Sequence, residues 1–144
     1  MTLVIDSSLT LTWFFEDERT TTTMALLDRV QQSGAVAPPL WRLEVANALQ
    51  VGVRRGRIDT TYRDASLQDL SALDIAIDAD GEDFAWTTTL RLADRFGLTM
   101  YEAAYLELAQ RVSLPLATLD RALRAAASGL GVTLLGEPTD ERVE

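Results

Sequence analysis

The chain has 144 residues and a net charge of −9, and it contains neither His nor Cys. All 13 of its basic residues are Arg, so Lys is absent as well. This length suits one domain. The missing residue types exclude catalytic triads and zinc sites that depend on His or Cys, and P-loop nucleotide hydrolysis, which needs Lys. No apolar stretch approaches the ~20 residues of a membrane span and no basic leader precedes the first strand, so we expect a soluble cytoplasmic protein.

The first part of the chain is predicted to alternate short strands with helices. An i, i+3, i+4 recurrence of apolar residues indicates a helix that ends at Gly34. Pro39 suits the first turn of the following helix, and Gly56 closes it. The predicted elements are a strand at 2–5, a helix at 7–15, a helix at 19–32, a strand at 35–37 and a helix from 39 to 56.

The same alternation continues to the C-terminal region. Asp59 caps a predicted helix, and Gly97 separates two more. Strands separated by helices predict an α/β fold, a single domain at 1–135 with a short parallel sheet covered by helices on both faces. Residues 136–144 are predicted to be a flexible acidic tail. The predicted elements are helices at 60–72, 82–96, 101–111 and 121–128, and strands at 74–78, 116–119 and 132–135.

Two acids end predicted strands. Asp6 closes Leu3-Val4-Ile5-Asp6, and Asp120 closes Ala117-Thr118-Leu119-Asp120. Ligands of parallel sheets gather beyond the carboxyl ends of the strands, where both acids are expected. Converging carboxylates hold Mg²⁺ or Mn²⁺ because hard cations prefer oxygen ligands. Taken alone, each acid is equally well a helix N-cap.

Two further acids lie on predicted helices. Glu44 belongs to a helix that is apolar on almost every side and is therefore expected to be largely buried. Asn47, at i+3, shares its face and would orient the carboxylate, which favours a functional role. Glu102 ends Thr99-Met100-Tyr101-Glu102, a capping-box sequence, and this spacing alone favours a structural role.

The consecutive aromatic residues Trp13-Phe14-Phe15 cannot all face one core if they are helical. One or more of them is expected at a partner surface, although single exposed aromatics are common.

Taken together, these segments resemble the PIN-domain ribonucleases, and most closely the VapC-type toxins of bacterial toxin–antitoxin pairs. The resemblance covers residues 3–135, and four fragments in this order and spacing are fairly specific. The fragments are Val4-Ile5-Asp6-Ser7-Ser8 followed by Trp13-Phe14, Glu44-Val45-Ala46-Asn47-Ala48-Leu49, Tyr101-Glu102-Ala103-Ala104-Tyr105-Leu106, and Thr118-Leu119-Asp120.

The resemblance implies a ribonuclease site. Asp6, Glu44 and Asp120 match the family's acids, and the family's fourth acid, usually Asp, is replaced by Glu102, which reaches farther by ~1.5 Å. The implied reaction is Mg²⁺- or Mn²⁺-assisted hydrolysis of RNA phosphodiester bonds, with the four acids as catalytic metal ligands. The family's supporting polar positions are matched by Ser7, Asn47 and Thr118.

The resemblance also implies a homodimer and a cognate antitoxin that wraps the toxin and blocks its site. The net negative charge argues against RNA binding, but bound cations would reverse it locally. Several arginines could contact phosphate, but for each of them a position on a solvated helix surface is at least as probable. The arginines that could contact phosphate are Arg54, Arg55, Arg57, Arg91, Arg95, Arg121 and Arg124.

Two alternatives stay open at the level of sequence. One is a PIN-type nuclease that matures RNA without an antitoxin. The other is a non-catalytic α/β interaction module in which Asp6, Glu102 and Asp120 are only helix caps. The sequence identifies neither the RNA target and its cleavage site, nor the preferred metal and number of ions, nor the antitoxin.

Overall fold

Five short strands form one parallel sheet at the centre of the molecule. The computed structural model describes residues 2–142. The strand order is β3-β2-β1-β4-β5, and every neighbouring pair is parallel. The predicted α/β class and parallel sheet are therefore confirmed. The strands are β1 Val4–Ile5, β2 Ala35–Ala37, β3 Ile75–Ile77, β4 Leu116–Ala117 and β5 Leu134–Leu135.

Seven α-helices among the described residues flank this sheet. Each of them overlaps a segment predicted to be helical; α1 and α5 are much shorter than predicted, and the boundaries of the others differ by at most two residues. Gly97 ends α5 with φ +65°, a left-handed conformation that glycine adopts without strain. The helices are α1 Ser7–Leu11, α2 Thr21–Ser33, α3 Leu40–Arg54, α4 Thr60–Ser71, α5 Leu90–Phe96, α6 Met100–Val112 and α7 Arg121–Leu130.

The first helix is much shorter than predicted, and this changes the position of the aromatic run. After α1 the chain turns, so the side chains of residues 13 and 15 no longer follow the directions that a helix would impose. Trp13 and Phe15 are both buried, and the Trp13 indole N–H donates to the backbone carbonyl of Thr23 at 2.9 Å. Trp13 and Phe15 are therefore part of the core, and the expected partner surface stays a prediction for Phe14, which is partly exposed.

Helix α3 is buried on one face rather than on almost every side. Trp41, Val45 and Leu49 follow an i, i+4 spacing and are buried, whereas Leu43 on another face is 77% exposed. The prediction of a largely buried helix is wrong in this respect. Glu44 lies beside the buried stripe and is half-buried.

Residues 82–96 do not form one continuous α-helix. The segment begins with a 3-10 turn, Gly81–Phe84, and a π-turn, Ala85–Thr89, before α5. Three consecutive β-branched threonines occupy this region, and the Thr87 hydroxyl donates to the carbonyl of Phe84 at 3.4 Å. Side chains of this type compete with regular helical bonding.

A 3-10 turn, Pro138–Arg142, begins the segment predicted to be a flexible tail. Within it, Asp140 forms a 2.7 Å ion pair with Arg124 of α7. Residues 143 and 144 lie outside the described residues, and the flexibility of the segment stays a prediction. Across residues 2–142 no helix combines the length and apolar character that crossing a membrane requires.

Candidate active site

The carboxyl ends of β1 and β4 lie side by side at the centre of the sheet. From β1 the chain moves outward to β2 on one side, and it later returns to add β4 on the other side. Crevices at such a switch in strand order are the usual ligand sites of open parallel sheets. Asp6 follows β1 and Asp120 follows β4 by three residues, so both predicted site acids lie at this edge.

Asp6 is fixed by bonds from both sides of the switch point. It is the N-cap of α1, where the backbone N–H of Leu9 donates to Oδ1 at 2.9 Å. The Ser8 hydroxyl lies 2.8 Å from Oδ1 and 2.9 Å from Oδ2. From the β4 side, the Thr118 hydroxyl donates to Oδ2 at 2.5 Å. The carboxylate is therefore held in one orientation by local and distant donors.

The pKa of Asp6 is raised to about 6. Burial is the main cause, because Asp6 is only 4% exposed and its charged form loses hydration. The bonds from Thr118, Leu9 and Ser8 lower the pKa, whereas the nearby charge of Asp120 raises it further. The two carboxylates therefore influence each other electrostatically.

Asp120 also caps a helix. Its Oδ1 accepts from the backbone N–H of Leu123 at 2.8 Å at the start of α7. The loop before it is tied to α1, because the N–H of Leu119 donates to the Ser8 hydroxyl at 3.0 Å. Within the loop, the N–H of Asp120 donates to the Thr118 hydroxyl, also at 3.0 Å. Ser8 and Thr118 thus couple the two acid-bearing loops.

Glu44 approaches the same edge from α3. Its Oε1 accepts from the Tyr105 hydroxyl at 2.5 Å and from the Ser7 hydroxyl at 3.4 Å. Ser7 immediately follows Asp6, so this contact joins Glu44 to the β1 loop. Burial raises the pKa of Tyr105 above its usual value, and the hydrogen bond and charge of Glu44 raise it further. Tyr105 therefore stays protonated and acts as a donor.

A buried hydrogen-bond chain fixes α3 against α1. The Trp41 indole N–H donates to the Thr10 hydroxyl at 3.0 Å, and that hydroxyl donates to the backbone carbonyl of Asp6 at 2.7 Å. Trp41 lies three residues before Glu44 on α3. The helix that carries Glu44 is therefore linked to the backbone of Asp6.

Glu102 forms the capping box that the sequence predicts. Its Oε1 accepts from the backbone N–H of Thr99 at 2.8 Å, and its own N–H donates to the Thr99 hydroxyl at 3.0 Å. Glu102 lies in the first turn of α6, three residues before Tyr105. Among the described residues, no hydrogen bond reaches Oε2 of Glu102.

The predicted site residues are not all brought together. Asp6 and Asp120 interact, and Glu44 contacts their loop through Ser7, but no group of three or more acidic side chains in the described part of the chain is arranged to hold a metal ion. Each acid turns instead toward its own donors, as expected for carboxylates that repel one another. Asn47 is exposed on α3, and no hydrogen bond of its side chain is found within residues 2–140.

The donor chemistry of this edge nevertheless fits a hard divalent cation. Each of the four acids has carboxylate oxygens, the ligand type that such cations prefer, and none of them forms an ion pair with an arginine in the described structure. Two of the arginines expected to contact phosphate have other partners. Arg57 pairs with Asp17 and Glu18, and Arg124 pairs with Asp140.

Sequence reasoning missed the positioning roles of Ser8 and Tyr105. Both lie within the fragments that carry the family resemblance, but their contacts join elements far apart in the chain. The Ser8 hydroxyl accepts from Leu119, 111 residues away, and Tyr105 reaches Glu44 across 61 residues. No local spacing signals such contacts.

Comparison with known proteins shows two relatives from one organism. The chain is 29% identical over 123 residues to ribonuclease VapC3 of Pyrobaculum aerophilum, a match that covers 85% of this chain and 92% of that protein. It also matches the crystal structure of PAE2754 from Pyrobaculum aerophilum with a TM-score of 0.66 and 25% identity, over 88% of this chain and 84% of that one. No protein-family model matches the chain.

Proposed function

Because this chain is a homologue of the VapC-type PIN-domain proteins, we propose that it is a metal-dependent endoribonuclease that acts as the toxin of a toxin–antitoxin pair. The observation that carries the proposal is the pair Asp6 and Asp120 at the switch point of the sheet. A buried carboxylate with a second carboxylate beside it and no arginine partner is costly to maintain for structure alone.

Each side chain has a proposed role. Asp6, Asp120 and Glu44, with Glu102, would hold one or two Mg²⁺ or Mn²⁺ ions. Bound there, the metal would supply an activated water and stabilise the developing charge on the leaving oxygen. Ser7, Ser8, Tyr105 and Thr118 donate hydrogen bonds that orient the carboxylates. Asn47 would complete the supporting set from the same helix as Glu44.

The orientation of the carboxylates matters because a metal ligand binds its ion well when hydrogen bonds from neighbouring groups hold it in place. The Thr118 and Ser8 hydroxyls donate to Asp6, and donors favour its ionised, metal-binding form. The Tyr105 hydroxyl orients the Glu44 carboxylate through a hydrogen bond of its own. The proposal therefore predicts that these neutral donors affect metal affinity as well as the rate of cleavage.

The test is cleavage of single-stranded RNA by the purified chain with Mg²⁺, with Mn²⁺ or with EDTA. Wild-type protein should cut only with metal. Asp6→Asn and Glu44→Gln should abolish cutting while the protein remains folded. Asp28→Asn, which changes an exposed carboxylate on α2, is the matched control and should cut at the wild-type rate.

Two results would reject the proposal. Cleavage that persists undiminished in EDTA would exclude a metal-dependent reaction. Wild-type rates in Asp6→Asn or Glu44→Gln would exclude the corresponding acid. Circular dichroism of each variant shows whether a loss of activity reflects loss of the fold.

The proposed toxin role adds a protein partner, a homodimer and a cytoplasmic location. We expect the chain to co-purify with a small antitoxin and to slow growth when it is produced without it. Light scattering of the free chain and of the complex measures both assemblies. An active ribonuclease with no effect on growth and no protein partner would instead support a role in RNA maturation.

A second candidate function has a specific observation in its favour. Asp6, Asp120 and Glu102 each accept a hydrogen bond at a helix start, which is the role that a non-catalytic interaction module requires. In that case the chain would neither bind Mn²⁺ nor cut RNA. Isothermal titration with Mn²⁺ separates the two candidates without relying on a substrate.

A further inference from the structure

A second cavity lies at the same edge of the sheet as the candidate active site. Its volume is about 480 Å³, within the range of small-ligand pockets. It opens beyond the carboxyl ends of β2 and β3 and beside the start of α6. The apolar part of its wall comes from Pro38, Pro39, Leu40, Ala85, Met100 and Ala104.

Two helices connect this cavity to the acids. Leu40 lines it from α3 and lies one helical turn before Glu44, about 6 Å along the helix axis. Tyr101 lines it from α6, immediately before Glu102 and one turn before Tyr105. A group bound in the cavity would therefore contact the two helices that carry Glu44 and Glu102.

The polar part of the cavity is rich in hydrogen-bond acceptors. Asp78 and Glu107 line it, with side chains only 8% and 4% exposed, and Arg111 binds both carboxylates at 2.7 and 2.8 Å. Two carboxylates against one guanidinium leave this group with a net charge of −1. No basic side chain lines the cavity in the described structure, so it would repel a phosphate and attract a donor.

Gly81 packs against these carboxylates, whose four oxygens all accept hydrogen bonds from Arg111. A Cβ at this position would lie 2.7 Å from Oδ2 of Asp78 and 3.8 Å from Oε1 of Glu107. Any side chain here would collide with the Asp78 carboxylate or cover it. The absence of a side chain thus makes room for this ion group, because Nη2 of Arg111 lies 3.5 Å from the same Cβ position. The exposed carboxylate that lines the cavity is that of Glu82, the next residue.

Tyr101 provides a flat apolar surface at the same cavity. It is 66% exposed although it contributes to the lining. Proteins recognise single-stranded RNA by stacking unpaired bases on aromatic rings and by hydrogen bonds to the base edges. Carboxylates accept from exocyclic amino groups, as they do from the N4 group of cytosine.

We propose that this cavity binds the base of a nucleotide next to the cleaved phosphate and selects a base with an exocyclic amino group. Cytosine would be preferred over uracil, which presents a carbonyl oxygen at the corresponding position. The assignment rests on the proposed ribonuclease function. An arginine from a protein partner would satisfy the same acceptors, but the Tyr101 ring beside a phosphodiester site favours a base.

The test compares the binding of short oligocytidylate and oligouridylate to the full chain in EDTA, by fluorescence anisotropy. Wild type should bind oligocytidylate about fivefold more tightly or better. Ala104→Met, which fills the cavity from α6, should remove this preference. Tyr101→Ala should weaken binding of both oligonucleotides, and because Tyr101 is exposed this change should not unfold the protein.

Ala125→Met adds the same side chain at an exposed position of α7 and is the matched control. It should keep the preference for cytosine. Equal affinity of wild type for the two oligonucleotides, or a preference that survives in Ala104→Met, would overturn the assignment.

Cleavage of total RNA, measured in parallel, distinguishes a failure of the base site from a failure of the proposed ribonuclease function. An enzyme that cuts RNA without the cytosine preference disproves only the base site, whereas a protein that cuts no RNA disproves the function itself.

Discussion

The hydroxyl of Tyr105 donates a 2.5 Å hydrogen bond to Oε1 of Glu44 and joins α6 to α3 at the candidate active site. Tyr105 is 3% exposed, so its ring is fixed by the core. Glu44 is only half-buried, and its other hydrogen-bond donor among the described residues is the Ser7 hydroxyl, at 3.4 Å. Tyr105 is therefore the main group that orients this carboxylate.

We predict that Tyr105→Phe lowers the rate of RNA cleavage and the affinity for Mn²⁺ by roughly 10- to 100-fold, as expected for loss of an outer partner of a metal ligand. The free energy of unfolding should fall by only about 1 kcal/mol, because water can solvate the half-buried carboxylate. Asp28→Asn, at an exposed position of α2, is the control and should change none of these three quantities. Wild-type Mn²⁺ affinity in Tyr105→Phe would contradict the orienting role.

The contribution of Asp6 to the stability of the metal-free protein should fall as pH rises from about 4 to about 6. The folded protein raises the pKa of Asp6 from 3.8 to about 6, mainly by burial, so the folded state binds this proton more tightly than the unfolded chain does. The stabilisation is complete below the unfolded value and is lost as pH rises through the folded value. The difference amounts to roughly 3 kcal/mol.

Urea unfolding in EDTA at several pH values measures this effect, and Asp6→Asn is the reference because it cannot titrate. The free energy of unfolding of wild type, relative to Asp6→Asn, should decrease over this window and level off above it. A constant difference between the two proteins would show that Asp6 has an ordinary pKa. Saturating Mn²⁺ should move the titration of wild type to lower pH, because a bound cation favours the carboxylate.

Substitutions of Glu102 separate its cap from its proposed metal role. Gln also serves in a capping box, so Glu102→Gln should keep the melting temperature but bind Mn²⁺ more weakly and cut more slowly. Glu102→Ala should lose about 1 kcal/mol of stability in addition. Glu102→Asp should remain active. If calorimetry gives equal Mn²⁺ affinity for wild type and Glu102→Gln, Glu102 is a helix-capping residue and not a metal ligand.

Arg111 is predicted to be essential for the stability of the region around the second cavity. Burial alone would raise the pKa of Asp78, but the bonds from Arg111 and from the backbone outweigh it and hold this pKa below its usual value. Arg111→Met would leave Asp78 and Glu107 buried without a partner and should cost about 3–5 kcal/mol.

Arg63→Met is the control for this substitution, because Arg63 pairs with an Asp64 side chain that is 67% exposed. Exposed pairs contribute about 1 kcal/mol or less, so this change should be mild. Chemical denaturation at neutral pH compares the two variants. A similar small loss in both would mean that Asp78 and Glu107 are solvated or protonated once Arg111 is gone.

Much of the fold follows from local sequence signals. Apolar runs between helical segments predicted the parallel sheet, and the caps at Asp6, Asp120 and Thr99 mark real helix starts. The failures occur where a local rule had a tertiary competitor. The stretch 7–15 has helical spacing, but burying both Trp13 and Phe15 requires a turn after Leu11.

The candidate site was predictable in its residues but not in its connections. Asp6 and Asp120 could be placed at one edge because carboxyl ends of parallel strands meet there. The partners that orient the acids could not be derived, since the Thr118 hydroxyl reaches Asp6 across 112 residues. The cavity beside Tyr101 also depends on how three separate segments pack, which no periodicity encodes.

We expect the bonds around Asp6 to form in two stages as the chain is synthesised. Leu9 and Ser8 can bind the carboxylate once the first residues have emerged, but the Thr118 bond must wait until β4 has docked beside β1. Contacts of such long sequence separation are made late because closing the intervening loop costs entropy. An unfinished chain therefore carries Asp6 without Asp120, and the proposed nuclease has no complete centre until most of the polypeptide has left the ribosome.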